Sequence, residues 1–330
     1  MRVNAVARSR SRLESDLGGG AAKIRPVARP GLYIEILIQG DLEELWFKTQ
    51  DPALHQRWDL RFTTIEYLAK ANPADPQRFR YATRIGFGME IVGEGESVVN
   101  LGDAGGPRTS SLRFSSEDWR SLIVEGSGYW KYHKTPEGLR FWTWYDYRTR
   151  FGTIGRVFDR LVFRPLMGWA TAWSFDNLRL WIETGQDPML TLRRAAGHWI
   201  ARASLVLVLI YHGLVPKLLL RSPDELQMLR AGGISEDSLG AAVAVMGTLE
   251  LVWAGVLLVC GSRRWPYLVT IAGMALALAG VAVQSPEFLG RAFNPVTLNL
   301  CVAALAAIAW ILQTDLPSAR RCLRRDPQRQ

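Results

Sequence analysis

Four apolar stretches of bilayer-spanning length fill the C-terminal part of the chain. They are His198–Leu220, Leu239–Cys260, Pro266–Gln284 and Phe293–Leu312. Each has about 20 residues, which at ~1.5 Å rise per residue matches the ~30 Å hydrocarbon core of a bilayer. Charged residues lie almost only at their ends. Four such runs in succession, with short connections, predict transmembrane helices rather than buried helices of a soluble protein.

Residues 31–185 show a different pattern, in which short strand-like runs alternate with turn signals. A first strand at Leu32–Gln39 precedes two short helices, one capped by Asp41 and one that follows Asp51-Pro52 and ends at Trp58. Six further strands are predicted at Phe62–Tyr67, Arg78–Ile85, Met89–Val99, Thr109–Phe114, Ser121–His133 and Leu139–Arg150. A long helix over Ile154–Glu183, divided or begun at Pro165, closes the region. This order predicts an α+β domain in which a curved sheet wraps one helix and leaves an apolar cavity.

The stretch YIEILIQGDLEELWFKTQDPALHQRW resembles the opening of START-like (SRPBCC, polyketide cyclase-like) domains. It has their strand, a short helix with a Trp, an Asp-Pro break and a second helix that ends on Trp58. The resemblance covers residues 31–185. It implies a helix-grip fold and the binding of lipids, polyketides or other hydrophobic ligands, and only some members are enzymes.

The stretch WIARASLVLVLIYHGLVPKLL, with Glu250 in the next span, is similar to the first helices of DoxX-like membrane proteins. That family is named from small membrane subunits associated with quinone-linked sulfur oxidation. The resemblance covers about residues 195–315 and implies an all-α four-helix transmembrane bundle without transferring an activity. The predicted order is a disordered basic arm (1–30), the START-like domain (31–185), a linker (186–197), the DoxX-like domain (198–312) and a basic cytoplasmic tail (313–330).

Charge predicts the orientation of the chain. Its formal net charge is +9, and residues 1–30 and 313–330 contribute +5 and +3 of that excess. Lys/Arg-rich flanks alternate with acidic or neutral ones along the four spans, as the positive-inside rule requires when both termini are cytoplasmic. We therefore expect a multi-pass protein of the inner (plasma) membrane whose basic tails face anionic headgroups and not nucleic acid.

Four polar residues of the spans are candidate binding residues: His212, Lys217, Glu250 and Asn299. Counting ~1.5 Å per residue places Glu250 about 16 Å from the outer ends of the spans and the other three nearer to those ends. Pro216 leaves the carbonyl of His212 without its helical donor. A carboxylate at this depth is costly and has a partner or a function. The alternatives are an interhelical lock that pairs Glu250 with His212 or Lys217, a ligand, quinone or proton site, and no contact at all.

In the START-like domain the cavity candidates are Trp58, Glu125, Tyr129, Trp130, Trp142, Trp144 and Tyr145. Strand alternation separates Glu125 and Tyr129 from Trp130 but does not tell which set faces inward. No Ser-His-Asp, HExxH, P-loop or CxxC pattern is present, so no reaction is assigned and enzymatic activity stays open. The three cysteines have no metal-binding spacing, and the cofactors or ligands considered are a quinone or a lipid.

Three functions are compatible with these observations. The first is a cytoplasmic START-like domain that binds a hydrophobic small molecule or lipid at the membrane surface. The second is a quinone-linked oxidoreductase component with a polar site around His212 and Glu250 and a redox partner subunit. The third is a structural anchor that recruits a partner. The Trp169–Trp181 segment either belongs to the helix that closes the cavity or rests its aromatic face on the membrane interface, flanked by Arg156, Arg160, Arg164 and Arg179.

Overall fold

The computed structural model describes residues 31–85, 88–100, 106–292 and 294–326. The predicted basic arm, residues 1–30, and Phe293, the predicted first residue of the fourth span, lie outside these ranges.

Seven strands form one antiparallel sheet in the order β1-β7-β6-β5-β4-β3-β2. The strands are β1 Leu32–Ile38, β2 Thr64–Tyr67, β3 Gln77–Arg84, β4 Glu90–Asn100, β5 Arg108–Ser115, β6 Ile123–Thr135 and β7 Gly138–Thr149. Strands β2 to β7 form a meander, and β1 pairs with β7 at the far edge, with Glu35 opposite Trp142. The β6–β7 turn needs Gly138, whose φ of 134° is a conformation that other residues rarely adopt.

Two short helices, α1 (Leu42–Gln50) and α2 (Pro52–Trp58), connect β1 to β2. Both begin as predicted. Asp41 accepts hydrogen bonds from Glu43 N and Glu44 N, and Asp51 accepts one from Leu54 N ahead of Pro52. After β7 the chain forms α3 (Gly152–Phe158), a π-helical turn (Asp159–Phe163) and α4 (Arg164–Thr184), with Pro165 in the first turn of α4.

Helix α4 packs on the inner face of the sheet and builds the core of the domain. Phe175 of α4 stacks on Phe141 of β7 with ring centroids 4.4 Å apart, and it also contacts Trp58. The predicted helix-grip fold of residues 31–185 is confirmed by this strand order and by the helix that the sheet wraps. Its interior, however, is filled by core side chains.

Four helices are long and apolar enough to cross a membrane. The first consists of α5 (Pro188–His212) and a π-helical turn (Gly213–Leu219), and the others are α7 (Glu236–Cys260), α8 (Trp265–Gln284) and α9 (Pro295–Leu312). A short helix, α6 (Pro223–Ala231), joins the first two spans. Large apolar side chains such as Val259, Leu276 and Val283 point outward, as a bilayer requires.

Most of the predicted linker, residues 186–197, is helical. Asp187 accepts a hydrogen bond of 2.8 Å from Met189 N and begins α5 directly after α4 ends. The first turns of α5 belong to the sheet domain, since Thr191 and Ala195 are buried and Leu192 packs against the sheet core. The 32 residues from Pro188 to Leu219 therefore exceed the length of about 20 residues that a helix needs to cross the bilayer.

Residues 314–324, here called the C-terminal strap, return from α9 to the sheet domain. Leu323 and Glu35 exchange two backbone hydrogen bonds of 2.9 Å, so the strap pairs with the free edge of β1. Ser318 N donates to Asp176 Oδ2 (2.7 Å), and Cys322 Sγ donates to the carbonyl of Ala172 (3.2 Å). This part of the predicted basic tail therefore packs against the first domain.

Candidate functional site

Three charged side chains meet inside the bundle, at the end far from the sheet domain. Lys217 Nζ lies 3.0 Å from Glu225 Oε1 and 3.1 Å from Glu250 Oε1. The Lys217 side chain is only 6% exposed. Burying a charge is costly unless it is paired, so the two carboxylates account for a lysine at this position. We call Lys217, Glu225 and Glu250 the ion triad.

Two glycines bring the backbones of the first two spans close enough for this contact. A Cβ atom on Gly213 would lie 2.6 Å from the carbonyl oxygen of Gly247, and one on Gly247 would lie 2.7 Å from that of Gly213. Lys217 follows Gly213 by about one turn and Glu250 follows Gly247 by about one turn, so both reach the same gap. Pro216 lies within the π-helical turn that carries Lys217.

Glu225 comes from α6, which packs on α7 and α8 over this end of the bundle. A second ion pair, Arg291 to Asp224 at 2.6 Å, holds the same helix. From the sequence alone, Glu225 was missed as a site residue. The signal that could have found it is the need of a buried lysine for a second counter-charge in the next loop.

Glu250 is the least satisfied member of the triad. Its Oε2 atom is buried and forms no hydrogen bond with any residue that the structure describes. Buried polar atoms of this kind are rare and call for an explanation, such as a bound molecule, a water or a proton. With both carboxylates ionised, the triad carries a net charge of −1. The site can therefore accept a proton or a hydrogen-bond donor at Glu250.

The structure brings together two of the four predicted residues of the spans. Lys217 and Glu250 form an ion pair, which is one of the alternatives that the sequence left open. His212 is half-buried with its ring 5.8 Å from that of Tyr211, and Asn299 is half-buried on α9. Within the described ranges, no hydrogen bond joins either of them to the triad, but His212 lies near enough to Lys217 and Glu225 to interact with their charges.

Other polar side chains cap helices at the end of the bundle near the sheet domain. Arg202 donates to the carbonyls of Leu257 (2.8 Å) and Leu258, and His198 Nδ1 lies 2.9 Å from the carbonyl of Ala309. Carbonyls at helix ends lack intrahelical donors, so these contacts satisfy them. They explain His198 and Arg202 as structural residues.

Three of the predicted cavity residues, Trp58, Trp130 and Tyr145, face the inside of the sheet domain as core residues. His55 stacks on Trp58 with centroids 4.9 Å apart and meets Trp130 edge-on at 5.0 Å. These rings belong to the hydrophobic core on the face of the sheet where a ligand was expected.

A buried polar group lies beside this aromatic core. His55 Nε2 lies 3.0 Å from Asp59 Oδ2, and Arg61 Nη2 donates to the same oxygen at 2.6 Å. Burial alone would raise the pKa of the Asp59 carboxyl, but the Arg61 guanidinium outweighs it and holds the pKa well below its usual range. Burial lowers the pKa of His55 despite the contact with Asp59.

The other four predicted cavity residues lie on the outer face of the sheet, and their assignment to the cavity is wrong. Tyr129 and Trp144 stack on each other with centroids 6.0 Å apart, and Trp142 lies under Arg140. Glu125 is exposed and pairs with Arg148 at 3.0 Å. Strand alternation puts them opposite Trp130 and Tyr145, which occupy the core face.

A groove of about 250 Å³ opens at the rim of the domain between β1, the π-helical turn and the strap. Arginines and small or apolar residues line it: Leu32, Tyr33, Arg160, Arg164, Gly168 and Arg324. Arg164 is held by Asp146 (2.9 Å) and Asp159 (3.2 Å). Arg160 and Arg324 form no ion pair with the residues that the structure describes, so the groove is open to an anion.

Fold and site together define an integral membrane protein that combines a helix-grip domain with a DoxX-like four-helix bundle. A model of the DoxX-like family matches residues 206–307, which confirms that resemblance. The chain is 38% identical over 297 residues to the uncharacterized membrane protein YndG of Bacillus subtilis (strain 168), covering 89% of this chain and 97% of that protein. It belongs to the same family as YndG.

Solved structures similar to the sheet domain include the hypothetical protein jhp0584 from Helicobacter pylori. That match has 18% identity, a TM-score of 0.38, and coverage of 50% of this chain and 99% of that chain. The match to the protein TTHA0849 from Thermus thermophilus has 16% identity and a TM-score of 0.36. It covers 47% of this chain and 100% of that chain. The match to the di-domain ARO/CYC StfQ from the steffimycin biosynthetic pathway has 14% identity and a TM-score of 0.37. It covers 54% of this chain and 60% of that chain.

Proposed function

We propose that this membrane protein binds a lipid-soluble small molecule whose polar head donates a hydrogen bond to Glu250. The observation that carries the proposal is the buried Oε2 atom of Glu250, which has no partner among the described residues. Lys217 and Glu225 keep the carboxylate in place, and α6 covers the site from the end of the bundle. A carboxylate inside a membrane helix is a functional candidate by default because its desolvation is costly.

The ligand reaches this site through the lipid. The Glu250 side chain is 27% exposed although its Oε2 atom is buried, so part of this side chain reaches the surface of the bundle. A molecule that partitions into the bilayer can approach α7 sideways and present a hydroxyl to the carboxylate. The ligand is hydrophobic, as the sequence suggested, but its proposed binding site lies in the bundle and not in the interior of the sheet domain.

A quinol is one molecule of this class, because its ring partitions into hydrocarbon and its hydroxyls donate hydrogen bonds. Quinone-linked redox chemistry would then use Glu250 to take a proton that the quinol releases on oxidation. That version of the proposal also requires a partner subunit to accept the electrons.

A second candidate function is lipid binding by the sheet domain at the membrane surface. The observation that favours it is the groove lined by Arg160 and Arg324 beside Leu32 and Tyr33, which combines cationic and apolar walls. This places the lipid at the rim of the domain, since aromatic side chains occupy the interior.

We also propose that the protein lies in the inner (plasma) membrane with the sheet domain in the cytoplasm. Arg193, Arg194, Arg263 and Arg264 flank the end of the bundle next to the sheet domain. Acidic residues of α6 and the start of α7, such as Asp224 and Glu236, flank the other end. This distribution supports a cytoplasmic sheet domain by the positive-inside rule.

Mass spectrometry of molecules retained after gentle extraction into nanodiscs tests the first proposal. We expect a lipid-soluble species with the wild-type chain, depleted about tenfold in Glu250→Gln, since one charge-assisted hydrogen bond is lost. Glu287→Gln is the matched control, because Glu287 is exposed at the same end of the bundle. Equal retention by all three chains would exclude Glu250 as the binding group.

A titration with decylubiquinol separates the quinol version from the general proposal. Saturable binding to the wild-type chain that weakens in Glu250→Gln supports a quinol. Retention of another lipid-soluble species without decylubiquinol binding supports the general proposal alone. If neither the triad nor the rim groove retains a ligand, the chain is a structural anchor.

A further inference from the structure

An exposed apolar surface runs along the helix that follows β7. Over residues 151–169 it presents Ile154, Val157, Phe158, Leu161, Leu166 and Trp169, here called the apolar patch. Ile154 is 81% exposed and Leu161 is 69% exposed. Most of these side chains recur at spacings of three or four residues along one side of the helix, and the five-residue step from Leu161 to Leu166 crosses the π-helical turn. A contiguous apolar surface of this kind marks an interaction site.

The helix itself is firmly attached, so the patch is a fixed surface of the domain. Its opposite side packs on the sheet through Gly155, Asp159 and Phe163. Tyr147 of β7 donates a 2.7 Å hydrogen bond to Asp159 Oδ1, and its ring meets that of Phe163 at 6.0 Å. The patch therefore cannot turn inward to bury its apolar side chains without breaking these contacts.

The charges beside the patch are positive. Arg156 and Arg160 are exposed, whereas Asp159, the only acidic residue between positions 151 and 175, is buried. Arg160 and Arg324 also line the rim groove, together with Leu32 and Gly168. Apolar side chains with arginines on the rim match the boundary between acyl chains and anionic headgroups.

We propose that the apolar patch lies in the headgroup layer of the bilayer that the bundle spans, and that the rim groove takes the phosphate of an anionic phospholipid. This inference rests on the second candidate function, lipid binding by the sheet domain, and names its ligand class. The helix that carries the patch continues as α4 and leads through residues 185–187 into the first span. Trp169 has the side-chain type that is enriched at membrane interfaces.

A second copy of the chain is the other occupant to consider. A symmetric contact would bring the patch of one copy onto that of the other, together with Arg156 and Arg160 from both. Like charges without an intervening acid would oppose that contact. The charge of the patch therefore favours an anionic bilayer.

Photo-crosslinking of the full chain in nanodiscs tests the proposal directly. p-Benzoylphenylalanine is placed at Leu161, with Glu137 in the exposed β6–β7 turn as the control position. Nanodiscs contain either phosphatidylcholine alone or phosphatidylcholine with phosphatidylglycerol. We expect lipid adducts at position 161 and not at position 137, with a higher yield when phosphatidylglycerol is present.

Arginine variants test the groove. Each arginine near an anionic surface favours binding about fivefold, so Arg160→Gln combined with Arg324→Gln should remove most of the phosphatidylglycerol preference. Both side chains are on the surface, and retained binding of lipid-soluble molecules at Glu250 would show that the variant is folded. If the wild-type chain retains no ligand at Glu250 but forms lipid adducts at position 161, the first proposal is refuted and this one stands.

Three results would overturn the inference. Protein–protein adducts at position 161 would identify a second copy as the occupant. Equal adducts at positions 161 and 137 would show that lipid contact is unspecific. Loss of the phosphatidylglycerol preference in inorganic phosphate, but not in sodium chloride of matched ionic strength, would show that the groove takes free phosphate.

Discussion

His55 shows how burial decides the chemistry of a single side chain in this protein. Its ring is stacked on Trp58 and its Nε2 atom lies 3.0 Å from Asp59, yet burial lowers its pKa. The folded state therefore keeps His55 neutral to a lower pH than the unfolded chain, which binds a proton below pH ~6.5. Stability that depends on neutral His55 is lost as the pH falls below that value.

We predict that the free energy of unfolding falls between pH 7 and pH 5, by up to ~1.4 kcal/mol per pH unit from this group. His55→Gln should flatten that slope, whatever its effect on stability at pH 7. His133→Gln is the control, since His133 is exposed on β6. Chemical denaturation followed by circular dichroism measures the three slopes, and a wild-type slope in His55→Gln would contradict the prediction.

The sequence predicted only some of the contacts between individual side chains. Glu250 and Lys217 were expected to be close because charges inside a bilayer need partners. Glu225 was missed because its contact depends on how α6 folds back over the bundle, which no local pattern encodes. Alternation along β6 and β7 grouped Tyr129 with Glu125, but the inner face is decided by packing against α4.

At the scale of elements, the close crossing of the first two spans at Gly213 and Gly247 positions the ion triad. We predict that Gly247→Ala destabilises the bundle by about 1–3 kcal/mol, because the added methyl group has no room against the carbonyl of Gly213. It should also weaken ligand retention at Glu250, since the helices must separate.

Gly255→Ala on the same helix is the matched control. A Cβ atom there meets nothing within 4 Å, so this variant should be neutral or slightly stabilising. Thermal denaturation in detergent compares the two variants. Equal melting temperatures would show that the crossing tolerates a wider separation.

Local signals predicted most element boundaries. Asp41, Asp51-Pro52 and the four apolar runs begin or end elements where the sequence indicated. No local signal placed Arg193 and Arg194 of the predicted linker, residues 186–197, inside a continuous helix. A helix capped at Asp187 nonetheless continues through them, since backbone hydrogen bonding does not stop at the bilayer surface.

At the scale of the whole molecule, the C-terminal strap connects the bundle to the sheet domain through Asp176. This buried carboxylate accepts from Ser318 N (2.7 Å), Arg179 Nε (2.7 Å) and Arg321 Nη1 (3.1 Å). We predict that Asp176→Asn raises hydrogen exchange at residues 318–323 by about tenfold or more, because charge-assisted hydrogen bonds are lost.

Asp224→Asn, which removes the carboxylate that pairs with Arg291 at the other end of the bundle, is the control. It should leave exchange in the strap unchanged. Mass spectrometry of peptides from the strap and from β6 separates local release from general unfolding. Equal increases in both peptides would show that Asp176 stabilises the whole domain and not the strap.

The orientation proposed for the whole chain predicts which surfaces are accessible in intact cells. In a background with Cys260, Cys301 and Cys322 replaced by Ala, Ser235→Cys should react with a membrane-impermeant maleimide in spheroplasts. Glu137→Cys in the sheet domain should react only after lysis. Both positions are exposed in the structure, so the opposite result would mean that the chain is inverted.

The pairing of Leu323 with Glu35 also sets an order for biosynthesis. The ribosome makes β1 first and the strap last, with all four spans in between. The free edge of β1 therefore stays without the strap until all four spans have been translated. The strap returns to the side of the sheet only when an even number of helices has crossed the bilayer. The sheet domain can therefore be completed only after the four-helix bundle has been inserted with the right topology.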